Sequence, residues 1–126
     1  DTAMNNTATL RLDGRSYEIK FEDNPTAREI FEMLPLTLTL TPYSNLEYSA
    51  RLPKTPVYEG SPVTEDAQLG TINYCREYNS FVVICQDHHD PFQEVRIAEI
   101  QGDISWMVTA GDSIEAEITK NGKGGD

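Results

Sequence analysis

Apolar and polar residues alternate with period two over much of this chain, the mark of strands that bury one face. Ala8, Leu10 and Leu12 are separated by Thr9 and Arg11, Asp13-Gly14 supplies a two-residue turn, and Tyr17, Ile19 and Phe21 resume the alternation beyond it. A β-hairpin follows. The clearest strand is Leu36-Thr37-Leu38-Thr39-Leu40-Thr41, with its leucines on one face and its β-branched threonines on the other. Further strands are expected over residues 46–52, 69–75, 81–86, 93–100 and 114–118.

The period changes to that of a helix in two places. Asn24 caps and Pro25 opens a helix over residues 25–34, with Thr26 and Glu29 as an alternative capping box. Its stripe is Ala27, Ile30, Phe31 and Leu34, and Pro35 ends it. Asp103 caps a second short helix over residues 103–110, where Ile104, Met107 and Val108 share a face before Gly111. Residues 53–68 hold three of the seven prolines and read as a long surface loop, and 87–91 read as a polar loop. Eight short strands with two short helices point to a mostly β domain, a closed or nearly closed antiparallel barrel, because closure removes exposed sheet edges. An open α+β sandwich is the alternative.

Composition narrows the function more than the fold. With 126 residues, 38% of them apolar, the chain is expected to be one domain, its ends at 1–6 and 120–126 flexible. A formal charge of −11 repels polyanions, so nucleic acid is excluded as a partner. No apolar run reaches the roughly 18 residues of a membrane span. The polar start at Asp1 reads as a trimmed end, which leaves export and a cytoplasmic location both open. Two cysteines make no disulfide framework. If Tyr78-Asn79 is a two-residue turn, position 75 lies opposite 82 and 72 opposite 85, so Cys75 and Cys85 project to opposite faces and stay unbonded.

Little catalytic chemistry stands out. Asp87-His88-His89-Asp90 is the one local cluster with metal-ligand chemistry, of a kind that suits zinc or nickel. Neighbouring histidines in a strand or loop point apart, however, and no distant ligand is evident, so the run is read as solvated surface and no metal or cofactor is assigned. No glycine-rich phosphate loop leads from a strand into a helix. The aromatic residues Tyr43, Tyr48, Tyr58, Tyr74, Tyr78, Phe92 and Trp106 fall near strand ends, as barrel plugs or as the wall of a groove.

Three stretches, taken in order, resemble the bacterial and archaeal cyclophilin-like domains of largely unassigned function. They are Asn24-Pro25-Thr26-Ala27 through Leu34-Pro35-Leu36-Thr37-Leu38, Glu47-Tyr48 through Leu52-Pro53, and Gly70-Thr71-Ile72-Asn73-Tyr74 followed by Phe81-Val82-Val83-Ile84. The resemblance implies a cyclophilin-type barrel with helices at its open ends. It implies no activity, since prolyl-isomerising cyclophilins use a Phe-His-Arg strand motif, and the nearest thing to it here is Ser49-Ala50-Arg51, which keeps only the Arg as a residue type.

The reading that follows is a non-catalytic binding module that takes an extended peptide or a small molecule on the barrel wall. Its rivals are a weak peptidyl-prolyl isomerase and an accessory or oligomerisation domain. Arg51 should face outward, opposite to Tyr48, since an unpaired guanidinium is costly to bury. The expected site joins Arg51 to Tyr58, Tyr74 or Phe92 in a cleft framed by the loops at 53–68 and 87–92.

Overall fold

Each alternating segment needs a partner for its apolar face, and closing the sheet on itself supplies one for all of them. The computed structural model describes residues 6–121. In chain order the elements are β1 (Thr7–Leu12), β2 (Arg15–Phe21), α1 (Pro25–Met33), β3 (Leu36–Tyr43), β4 (Glu47–Arg51), β5 (Thr64–Ala67), β6 (Thr71–Cys75), β7 (Ser80–Ile84), β8 (His88–Gln101) and β9 (Ile114–Lys120). Short 3-10 turns lie at Arg76–Tyr78 and Ser105–Thr109.

Eight strands pair antiparallel in the order β2-β1-β9-β3-β4-β7-β6-β8, and β8 returns to β2, so the sheet forms a ring. Leu10, Leu12, Ile19, Leu40, Tyr48, Phe81, Ile97 and Ile118 fill its interior. The alternation in β3 is borne out: Leu36, Leu38 and Leu40 are buried, and the three threonines face solvent. Asn24 Oδ1 accepts the Ala27 amide at 2.8 Å to start α1, which buries Ala27 and Ile30 against the ring. Burial of one such isoleucine is worth about 1.5–3 kcal/mol. Phe31 adds an edge-on contact with Phe21, ring centroids 5.1 Å apart.

Four local expectations change. The second helix is a 3-10 turn, because Asp103 Oδ1 accepts from Ser105 N two residues on, and three residues per turn suffice to bury both Ile104 and Met107. The loop at 53–68 contains β5. The polar loop at 87–91 is instead the start of β8, whose His88 and His89 pair with Ala67 and Asp66. The β6–β7 connection is four residues long, since Cys75 lies opposite Ser80, and Asn79 turns the chain in the left-handed region at φ 49°.

That last change shifts the register by two, which preserves which face each residue occupies. Cys85 therefore packs in the barrel core, Cys75 in a separate outer cluster, and both are free thiols. Of the ends expected to be loose, 1–5 and 122–126 lie outside the described residues. Asn6 donates its side-chain amide to the Phe21 carbonyl at 2.8 Å, and Lys120 belongs to β9 opposite Ala8.

The faces of β3 are open to direct test. Leu40→Ala removes a fully buried side chain and should cost about 2–5 kcal/mol in urea unfolding, whereas Thr37→Ala on the exposed face should stay within about 0.5 kcal/mol. Equal costs would mean that the strand does not face as described.

Candidate functional site

Hairpin β6–β7 is buried on both faces, which a barrel wall alone cannot achieve. Ile72, Tyr74, Phe81 and Val83 point inward, so Asn73, Cys75, Ser80, Val82 and Ile84 point outward. Their cover is the ribbon made by β5 and the first half of β8. Ala67 joins Cys75, Val82 and Ile84 in a small outer core, with Phe92 packed against it.

Between this ribbon and the outer faces of β3, β4 and β7 runs a groove of about 590 Å³. Cross-strand register sets its floor: Tyr43, Glu47 and Ile84 lie in one row, Thr41, Ser49 and Val82 in the next, and Arg51, Ser80 and Cys75 in a third. The wall opposite is β8, whose His88, Asp90, Phe92 and Glu94 are buried or half-buried along it, while His89 and Pro91 border it from exposed positions.

One end of the groove is acidic and largely dry. Glu47 Oε1 lies 3.3 Å from His88 Nε2, and the two side chains are only 15% and 14% exposed. The other ring nitrogen, Nδ1, is 2.9 Å from the Gln86 carbonyl. Asp90 is buried and its Oδ1 accepts from Phe92 N at 2.9 Å. One ligand atom each from Glu47, His88 and Asp90 lies within 4.8 Å of the other two. Glu94, 2% exposed, accepts from Asn73 Nδ2 at 3.0 Å and lies close enough to Asp90 to feel its charge.

Burial dominates the electrostatics of this end. It pushes Glu94 up to about 8, the Asn73 hydrogen bond opposes it, and the Asp90 charge adds to it. Glu47 is also raised, first by burial and then by Asp90, with the attraction of His88 working the other way. Cys75, beside Glu94, is pushed up to about 12 by burial, which disfavours the reactive thiolate.

The other end carries Arg51, exposed and with no acid within ion-pairing distance among the described residues. Tyr78 and Phe92 meet edge-to-face near it, centroids 5.5 Å apart, and Tyr78 leaves 57% of its surface in solvent. A smaller cleft of about 300 Å³ lies beside Asn24, Thr64 and Arg96. Its guanidinium is occupied by Glu22 at 3.4 Å and Glu99 at 3.7 Å.

Of the residues singled out in the sequence, Arg51 and Phe92 line the same groove. Tyr48, as expected, is the inward partner of Arg51, and its hydroxyl accepts from Gly111 N at 3.1 Å. Tyr74 is not at the groove: it is 1% exposed, a core residue whose hydroxyl donates to Asn79 Oδ1 at 2.7 Å. Tyr58 lies apart as well, stacked under Arg76 at 4.3 Å and donating to the Gln93 carbonyl at 2.8 Å. Sequence reasoning singled out neither Glu47 nor Glu94 for chemistry, and took His88 and Asp90 for solvated surface. The available signal was the unbroken apolar run at 81–85, which demands a cover on its outer face.

The sequence model described as the cyclophilin-like family matches residues 10–119 of this chain. A comparison with curated proteins finds no match. Among solved structures, the solution structure of the hypothetical protein AF2241 from Archaeoglobus fulgidus superposes with a TM-score of 0.68 at 12% identity, over 96% of this chain and 98% of that one. That likeness is one of fold.

Glu94 should make stability depend on pH. Its ordinary value of 4.5 rises to about 8 in the folded chain, so between those values the native state holds a proton that the unfolded chain has released. The contribution is complete below about pH 4.5 and is lost as pH climbs through about 8. In chelating buffer the urea midpoint should fall across that window. Glu94→Gln should flatten the fall and be the more stable protein near pH 9, by about 1–3 kcal/mol. An unchanged slope would place the proton elsewhere.

Proposed function

The chain belongs to the cyclophilin-like family, and from that premise we propose that it is a binding module whose outer-wall groove takes a short extended peptide, with Arg51 holding a carboxylate of the ligand. The observation that carries this reading is Arg51 itself: an exposed cation without an acidic partner among the described residues, facing a groove, in a chain of net charge −11. On such a surface a cation finds acids easily, and Arg96 has found two. An arginine left open is available to a carboxylate in the bidentate geometry that its fork favours.

The groove's length suits a peptide. Glu47 and Arg51 share one face of β4, and four strand residues span about 13 Å, the reach of about four extended residues. Tyr78 and Phe92 give such a ligand an apolar wall beside the guanidinium. Recognition of this kind needs no chemistry at the peptide bond. An isomerase would also need donors and an apolar wall fixed around a twisted amide, and Ser49 and Ala50 beside Arg51 offer little toward it.

The test uses a library of tetrapeptides with free C-terminal carboxylates and their amidated counterparts, titrated against the labelled protein by amide NMR. Shifts should cluster at Ser49, Arg51, Ser80 and Phe92, and either amidation or Arg51→Ala should weaken binding about tenfold. Absence of shifts at millimolar peptide, or affinity indifferent to Arg51→Ala, would refute the proposal. Prolyl-peptide turnover abolished by Arg51→Ala would replace the module with an enzyme.

A further inference from the structure

The acidic end of the groove has chemistry that peptide binding does not use. We propose that Glu47, His88 and Asp90 form a site for one divalent transition-metal ion, zinc foremost. The inference is independent of the peptide reading and stands or falls separately from it.

The argument starts at His88. A carbonyl oxygen only accepts, so the 2.9 Å contact between Nδ1 and the Gln86 carbonyl places a hydrogen on Nδ1. In the neutral ring Nε2 then presents a lone pair, and it presents it to a carboxylate oxygen 3.3 Å away. Two acceptors facing one another in a dry site call for a proton or a metal cation between or beside them. The contact does not meet hydrogen-bond geometry, and Glu47 Oε1 is fully buried with no hydrogen-bond donor among the described residues. Nitrogen and oxygen are therefore close without bonding to each other, the arrangement that two ligands of one ion would have.

Asp90 supplies the third corner. It is buried, and the three ligand atoms lie within 4.8 Å of one another. Bonds of about 2.0–2.2 Å hold ligand atoms at most about 4.4 Å apart, so small side-chain rotations close the set on a metal. The supporting contacts are of the kind that metal ligands use: a backbone carbonyl on the far nitrogen of His88, and the Phe92 amide on Asp90 Oδ1. Two carboxylates balance the charge of a divalent ion. One imidazole and only three protein ligands favour zinc or its neighbours over calcium or magnesium, which prefer all-oxygen shells.

His89 provides the contrast. Its side chain is 68% exposed and meets Glu65, itself 46% exposed, at 3.0 Å. The neighbouring histidines point apart, as the sequence led one to expect, and the distant ligand for His88 is Glu47, from another strand.

Untagged protein, stripped with EDTA and desalted, is titrated with zinc chloride and with cobalt chloride by calorimetry, and cobalt is also followed by its visible spectrum. One ion should bind per chain, raising the thermal midpoint, with visible bands of nitrogen and oxygen coordination and no thiolate charge-transfer band. His88→Ala and the near-isosteric Glu47→Gln should each weaken binding about tenfold or more, while His89→Ala leaves it unchanged. Glu47→Gln keeps the size of the side chain, so it remains informative if His88→Ala unfolds. No stoichiometric binding at millimolar zinc, binding indifferent to Glu47→Gln, or an equal loss in His89→Ala would overturn the proposal.

Discussion

Hairpin β6–β7 carries apolar side chains on both faces, and a ring of strands can bury only one of them. Leaving the outer Val82 and Ile84 in water would forfeit about 1.5–3 kcal/mol each, so a second layer must cover them. The ribbon of β5 and β8 is that layer. Because side chains alternate along β8, seating Phe92 on the outer core carries His88, Asp90 and Glu94 toward the same side. The groove and its buried carboxylates are thus consequences of apolar packing one or two residues away. The favourable burial of Ala67, Cys75, Val82 and Ile84 helps to offset the desolvation of acids that would not otherwise leave water.

The two ends of the groove solve opposite problems. At one, carboxylates of like sign are held together where solvent is scarce, so protons rise onto them and a positive group is wanted. At the other, a lone guanidinium stands where the surrounding field is negative and solvent reaches it. Both arrangements are spatially fixed by β4, since Glu47 and Arg51 are four residues apart on a single face. A ligand of either charge meets a built-in complement at one end and repulsion at the other, which gives the groove a direction.

Much of the ring was legible because its signals are local. The Leu-Thr alternation of β3, the Asp13-Gly14 turn and the Asn24-Pro25 start of α1 each depend on a few adjacent residues, and each forms as its chemistry dictates. The ribbon was not legible, because β5 reads Thr-Glu-Asp-Ala and the start of β8 reads His-His-Asp-Pro, both polar enough for loops. Their strand character comes from pairing with each other over the outer core, a tertiary effect that propensity does not contain. Arg51 was placed correctly outward by the cost of burying its charge. Tyr74 was misplaced because a tyrosine in a fully buried strand satisfies its hydroxyl locally, on Asn79 of the following turn.

The ring and the site belong to different levels of the structure. The ring is what the 12% identical archaeal protein shares, and so low an identity carries backbone geometry without carrying side chains. The groove, in contrast, depends on particular residues of β4 and β8 that are far apart in sequence and meet only because the ribbon folds back over the wall. A change that leaves every ring strand intact but unseats the ribbon, by trimming Phe92 or placing a charge at Ala67, would free Glu47, Asp90 and Glu94 into water. The carboxyl groups of Glu47 and Glu94 would then return toward ordinary behaviour and the acidic end would lose its demand for a cation. The chemistry available to this protein is therefore set by the cover on one hairpin rather than by the barrel that the hairpin belongs to.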